Sequence, residues 1–223
     1  MNWEESKALT PLKRDFLKAF FDRSQAFFLT GGSALGIFYL EHRLSFDLDF
    51  FTTDEHLQWH ILDNELRALS RTLGADCTSV TTSPTFRRYD LRRNDEREKL
   101  DFVIEQVPQI DSEKARFGQL RVDTLREIMV NKICTLIGRC EIKDLVDLFF
   151  LAKRGFMVWD YLQEARRKEG GLDPAMISFI LARTRIDAIP DYILEPVSVD
   201  ELVGFVRDLQ RRLSEMAFPE MPS

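Results

Sequence analysis

Asp47 and Asp49 alternate with apolar residues in the stretch Ser-Phe-Asp-Leu-Asp-Phe-Phe, and Gly31, Gly32 and Ser33 lie a short distance upstream. On an extended chain that alternation puts both carboxylates on one face, roughly 7 Å apart at the backbone, so their side chains can share a metal ion. Carboxylates so placed suit phosphoryl or nucleotidyl transfer, in which two magnesium ions commonly neutralise the phosphate chain and orient the acceptor hydroxyl. A third carboxylate from a neighbouring strand would complete such a site. Asp101 in Lys-Leu-Asp-Phe-Val-Ile is the leading candidate, because Leu100, Phe102 and Ile104 form an apolar face and Asp101 lies opposite them. It would ligate metal or receive the acceptor's proton. Gly31, Gly32 and Ser33 sit between a strand and a helix, where glycine permits close backbone approach and amides point at an anion, suiting β- and γ-phosphates. Asp-x-Asp alone is a weak signal, since carboxylates line many solvated strand faces; the Gly-Gly-Ser turn before it supplies the specificity.

The elements that must position these residues follow from periodicity. Thr10 and Pro11 read as a helix start, with Leu12, Phe16, Leu17 and Phe20 on one face. Ala26–Thr30 reads as a buried strand, and a short helix is expected from about Ser33 to His42. Ser45 to Phe51 has strand period. Asp54 is expected to cap a helix carrying Leu57, Ile61, Leu62, Leu66 and Leu69 and ending at Gly74. Strands are expected at Cys77–Thr82, Thr85–Arg92 and Lys99–Val107. Beyond about Asp123 the pattern is nearly all helical, with helices from Asp123, from Glu141 to Gly155, and over Val158–Glu169, Pro174–Arg185 and Val199–Met216. Ser198 and Glu201 form a capping box for the last. The fold class expected is therefore α/β (α+β), a mixed sheet with flanking helices followed by a C-terminal helical bundle. The boundary falls between residues 1–122 and 123–223, with the two parts packed directly on each other.

Composition narrows the function classes. The chain has 223 residues, 44% hydrophobic and 30% charged, with a net charge of −6, which argues against unspecific nucleic-acid binding over the whole surface. A local basic patch remains open, and Phe-Arg-Arg-Tyr-Asp-Leu-Arg-Arg carries Arg87, Arg88, Arg92 and Arg93, with Arg97 and Lys99 just beyond. Such a run is ordinarily a solvated hairpin, but beside Asp101 it could position an RNA backbone. Cys77, Cys134 and Cys140 have no metal-type spacing, and His56 and His60 lack a third partner, so zinc is not expected. No apolar run approaches a membrane span, and a cytoplasmic protein without membrane association is the expectation.

Gly-Gly-Ser-Ala-Leu-Gly-Ile-Phe-Tyr-Leu-Glu-His-Arg-Leu-Ser-Phe-Asp-Leu-Asp-Phe-Phe resembles the first motif of the DNA polymerase β-like nucleotidyltransferase superfamily. More narrowly it resembles the AbiEii/AbiGii toxin family, whose pattern places an Arg and a Ser before the carboxylates, matched by Arg43 and Ser45. The later segment from Glu127 to Leu151 is similar to that family's helical Lys, at Lys132, and its Lys-Asp-x-x-Asp helix, at Lys143, Asp144 and Asp147. The resemblance covers roughly residues 27 to 155. It implies that Ser33 touches phosphate, with Gly31, Gly32, Arg43, Ser45 and Lys132 in the nucleotide site. It further implies that Asp47, Asp49 and Asp101 bind magnesium, with manganese as a substitute, and that Asp144 completes the catalytic set.

What the resemblance implies biologically is an enzyme transferring a nucleotidyl group from a nucleoside triphosphate to an acceptor hydroxyl, the toxin of a type IV toxin–antitoxin or abortive-infection pair. The partners implied are the triphosphate, tRNA 3′ ends as acceptor, and a cognate antitoxin encoded nearby. Two rivals stay open: a transferase modifying an aminoglycoside-like small molecule, and an inactive nucleotide-binding module. Read without the family, Lys132 is a surface lysine on a helix, and Lys143 with Asp147 a surface ion pair worth a few tenths of a kcal/mol.

Overall fold

The computed structural model describes residues 2–218. The chain divides into two compact units, one running to Val107 with Asp111–Thr124, the other containing Pro108–Ile110 and the residues from Leu125 onward.

Every strand belongs to the first unit. Helix α1, Pro11–Phe21, begins where Thr10 and Pro11 predict, the Thr10 hydroxyl accepting the Lys13 amide at 3.0 Å. Strand β1, Phe28–Thr30, runs straight into α2, Gly31–Leu35, which widens into a π-helical turn over Gly36–Leu40. Glu41 ends that turn in the left-handed region. The helix thus starts two residues earlier than Ser33, because Gly31 at φ 68° makes the sharp turn itself. Strand β2, Asp47–Thr52, is followed by α3, Trp59–Leu73, closed by Gly74 in the left-handed conformation. Asp54 does not cap α3: its carboxylate accepts the His56 amide at 2.9 Å in the turn before, and Gln58 takes the cap position.

Strands β3, Asp76–Thr82, β4, Phe86–Arg93, and β5, Glu96–Ile104, form a meander whose β4–β5 hairpin turns through Asn94 at φ 53°. Two short strands that periodicity did not reveal, β6 (Ala115–Phe117) and β7 (Leu120–Val122), complete a seven-stranded sheet ordered β3-β4-β5-β2-β1-β7-β6. The β2 strand pairs in parallel with β5 and antiparallel with β1, so the sheet is mixed.

One sheet face is sealed by aromatic packing. Phe50 and Phe102, neighbours on β2 and β5, stack at 4.8 Å, and Phe20 of α1 lies 4.9 Å from Phe50. Truncating any of these rings to Ala would cost about 3–5 kcal/mol. Under the same face lies a buried ion pair: Lys13 Nζ is 3.2 Å from Glu98 Oε2 and donates to the Ser45 carbonyl at 2.7 Å. Thr10 Oγ1 donates to the other Glu98 oxygen at 2.7 Å. Helix α1 is thereby tied to the segment leading into Asp47. Lys13→Met, which strands Glu98, is expected to lower unfolding stability by about 3–5 kcal/mol in urea denaturation, whereas Lys13→Met/Glu98→Leu should recover most of the loss.

The second unit is helical: α4, Leu125–Gly138; α5, Ile142–Lys153; a 3₁₀ turn, Val158–Tyr161; α6, Leu162–Lys168; α7, Pro174–Arg183; and α8, Val199–Ala217. The single helix expected over Val158–Glu169 is split into the 3₁₀ turn and α6. Ser198 and Glu201 form the reciprocal capping box that opens α8. No helix among the described residues is long and apolar enough to cross a membrane.

Candidate active site

The open face of the sheet carries the acids. Parallel pairing of β2 with β5 sets Asp49 beside Asp101 and Asp47 beside Lys99, and because side chains alternate, Asp47, Asp49 and Asp101 all project from that face. One carboxylate oxygen from each lies within 4.8 Å of the others. The local fold explains how the chain tolerates this crowding. Ser45 Oγ donates to Asp47 Oδ1 at 3.0 Å, and Ser33 Oγ donates to the Asp47 carbonyl. Gly31 packs so tightly on the Asp49 carboxylate, and Gly32 on the Arg43 guanidinium, that a Cβ on either would collide with those groups. The two glycines, expected to cradle phosphate, therefore first make room for the charged side chains of the site. Arg43, only 3% exposed, donates to the Leu44 carbonyl at 2.9 Å.

The residue that sequence reasoning underrated is Arg88. Read as one member of a basic hairpin, it lies directly opposite Asp101 in the antiparallel β4–β5 register. Its Nε and Nη2 donate to the two oxygens of Asp101 at 2.6 and 2.5 Å, a bidentate fork of the strong type. Those hydrogen bonds, followed by the charges of Asp101, Asp47 and Asp49, hold its guanidinium above the ordinary arginine range despite partial desolvation. The signal was present in the alternation of β4, but only the hairpin register identifies which acid it meets.

Donor chemistry fits a hard divalent cation: three carboxylates converge and no thiol or imidazole joins them among the described residues. Asp47, Asp49 and Asp101 are the groups that would hold it.

Lys132 and Asp144 belong to the second unit, where they meet each other. Lys132 Nζ donates to Asp144 Oδ1 at 2.9 Å and lies 2.6 Å from Asp147 Oδ2. Lys132 is 5% exposed and both acids are fully buried, so it is no surface lysine. The Lys143–Asp147 surface pair is likewise not formed; Lys143 pairs with Glu141 at 2.9 Å. On α5, Asp144 and Asp147 are three apart and share the inward face, whereas Lys143 points elsewhere. Asp144 Oδ2 is buried without a hydrogen bond, with Arg139 Nε 3.6 Å away.

A mixed sheet with flanking helices, an Asp-x-Asp strand after a Gly-Gly-Ser turn and a third aspartate on the parallel neighbour suit metal-assisted nucleotidyl transfer. Residues 15–202 match the family described as nucleotidyl transferase AbiEii toxin, type IV toxin–antitoxin system. The chain belongs to this family, and it is a nucleotidyltransferase of the toxin class. Its fold is similar to three solved structures. A candidate nucleotidyltransferase from H. pylori is 23% identical, with a TM-score of 0.58 over 93% of this chain and 95% of that one. JHP933 from Helicobacter pylori is 24% identical, with a TM-score of 0.57 over 92% and 91%. MenT4, the nucleotidyltransferase toxin Rv2826c of Mycobacterium tuberculosis H37Rv, is 17% identical, with a TM-score of 0.57 over 90% and 81%. No curated protein sequence matches the chain.

Proposed function

We propose that the protein transfers a nucleotidyl group from a nucleoside triphosphate to the 3′-terminal hydroxyl of tRNA, with magnesium held by Asp47, Asp49 and Asp101. The observation that carries this reading is the convergence of the three carboxylates within 4.8 Å on one sheet face. Magnesium, when bound, neutralises the phosphate chain and lowers the barrier to in-line displacement. In that displacement a bond forms between the acceptor oxygen and the α-phosphorus, the bond from the α-phosphorus to the bridging oxygen breaks, and pyrophosphate leaves. We assign Asp101, the third carboxylate of the set, to receive the hydroxyl proton. Ser45 and Ser33 hold Asp47 from its side chain and its backbone. Gly31 and Gly32 admit the Asp49 carboxylate and the Arg43 guanidinium against the turn after β1, and Gly31, Gly32, Arg43, Lys132 and Asp144 are assigned to the nucleotide and catalytic set by their match to the family's motifs.

Support for an RNA acceptor comes from the register of the hairpin. Arg88, Arg92, Arg97 and Lys99 alternate onto the same face as the triad. Arg92 and Arg97 are more than half exposed while both reach Asp90, at 3.2 and 2.5 Å. A short cationic track beside the acids positions a phosphate backbone without reading its bases. The toxin class implies an antitoxin partner, which we assign to the neighbouring gene.

Incubating the protein with each α-labelled triphosphate, magnesium and either total tRNA or a panel of hydroxyl-bearing small molecules tests the reading. Label is expected on tRNA and absent when the 3′-terminal diol of the tRNA has first been oxidised with periodate. Label on an aminoglycoside-like compound and none on RNA would replace the acceptor; none on either would remove the reaction.

A further inference from the structure

The fork between Arg88 and Asp101 sets a cation where a metal ion is needed. Both oxygens of Asp101 already accept from the guanidinium, and Asp101 is buried, 6% exposed. A divalent ion bound to an Asp101 oxygen at about 2.0–2.6 Å would lie within roughly 5 Å of the guanidinium carbon. Two like charges at that spacing repel strongly in a partly desolvated site. Arg88 itself can be reached from solvent: its side chain is 38% exposed, and its guanidinium lies 5.6 Å from the ring of Phe86, two residues earlier on the same face of β4.

We propose that Arg88 is an internal counter-cation that competes with metal for Asp101, so that the triad takes its full metal complement only when a nucleotide triphosphate supplies Arg88 with another anion. Metal and nucleotide then bind with positive coupling, each raising the other's affinity by the same factor. The proposal rests on the reading of Asp47, Asp49 and Asp101 as the metal site. Its consequence is that the protein without nucleotide holds divalent ions weakly, although three carboxylates converge there.

The test is a titration of the full chain with Mn²⁺ in the absence of nucleotide, free ion being counted by electron paramagnetic resonance. Arg88→Met is expected to bind Mn²⁺ on the order of tenfold more tightly than the parent. Arg88→Gln, also neutral but able to hydrogen-bond Asp101, should shift the same way and serves if the Met variant folds poorly by circular dichroism. Arg88→Lys, which keeps the charge, should stay close to the parent. A non-hydrolysable triphosphate should tighten Mn²⁺ binding strongly in the parent and much less in Arg88→Met. Unchanged or weaker Mn²⁺ binding in both neutral variants, with Asp49→Ala abolishing binding, overturns the role of Arg88 while leaving the metal site standing. If Asp49→Ala and Asp101→Asn leave Mn²⁺ binding of the parent untouched, the metal-site reading falls and the Arg88 proposal falls with it.

Discussion

Asp49→Ala is expected to lower nucleotidyl transfer by about 10³-fold or more while leaving the fold intact. The rate loss follows from the several kcal/mol of charge stabilisation that a metal ion supplies, each 1.36 kcal/mol being a factor of ten. The fold should hold, because Asp49 is only partly buried and the acids left behind keep their partners, Asp47 at Ser45 and Asp101 at Arg88. Single-turnover transfer of labelled nucleotide, read beside a thermal melt, checks both. In cells, the parent chain is expected to slow bacterial growth and the variant to relieve it; equal growth arrest from both forms would rule out a catalytic basis for toxicity.

Lys132→Met should behave in the opposite sense, with a large loss of stability. Lys132 is the cation between two fully buried carboxylates, Asp144 and Asp147, at 2.9 and 2.6 Å. Removing one partner from a buried ion cluster costs about 3–5 kcal/mol, since the remaining charges keep their desolvation penalty and lose their compensation. Asp144 keeps only partial compensation from Arg139, whose Nε lies 3.6 Å from its second oxygen without a hydrogen bond. Urea denaturation of the variant is therefore expected to show a midpoint well below that of the parent. The triple change Lys132→Met/Asp144→Asn/Asp147→Asn, which removes the charges together, should recover much of that midpoint. Its activity then separates two roles that the family motif leaves merged. A stable triple variant without transfer supports a role for the Lys132–Asp144 pair in the reaction, whereas retained transfer would make the cluster purely structural.

Much of the fold was legible because its signals are local. Period-two alternation in Phe-Asp-Leu-Asp-Phe sets which side of β2 is acidic, whatever it pairs with, and Thr10-Pro11 and the Ser198–Glu201 box start their helices through contacts three residues apart. The Asp101 strand was recognised the same way. Boundaries slipped where a neighbour's geometry took over: at Gly31, which turns the chain directly into α2, and at Asp54, whose carboxylate is satisfied one turn too early. The three-residue strands β6 and β7 are too short to show any period and exist because β1 and each other offer backbone partners.

The sequence by itself determined the identity of the acids, their common face and the family to which the Gly-Gly-Ser and Asp-x-Asp motifs point. Tertiary structure decided the partners. Which arginine of the basic hairpin meets Asp101 depends on the register of β4 against β5, and that is set by pairing between strands, not within one. Which acids hold Lys132, and that Lys13 is buried against Glu98 rather than solvated on α1, depend on which helix faces are covered. Alternation and helical period are properties of a segment; a charge's partner is a property of the packing, because long side chains of opposite sign remain in water unless a distant element removes it.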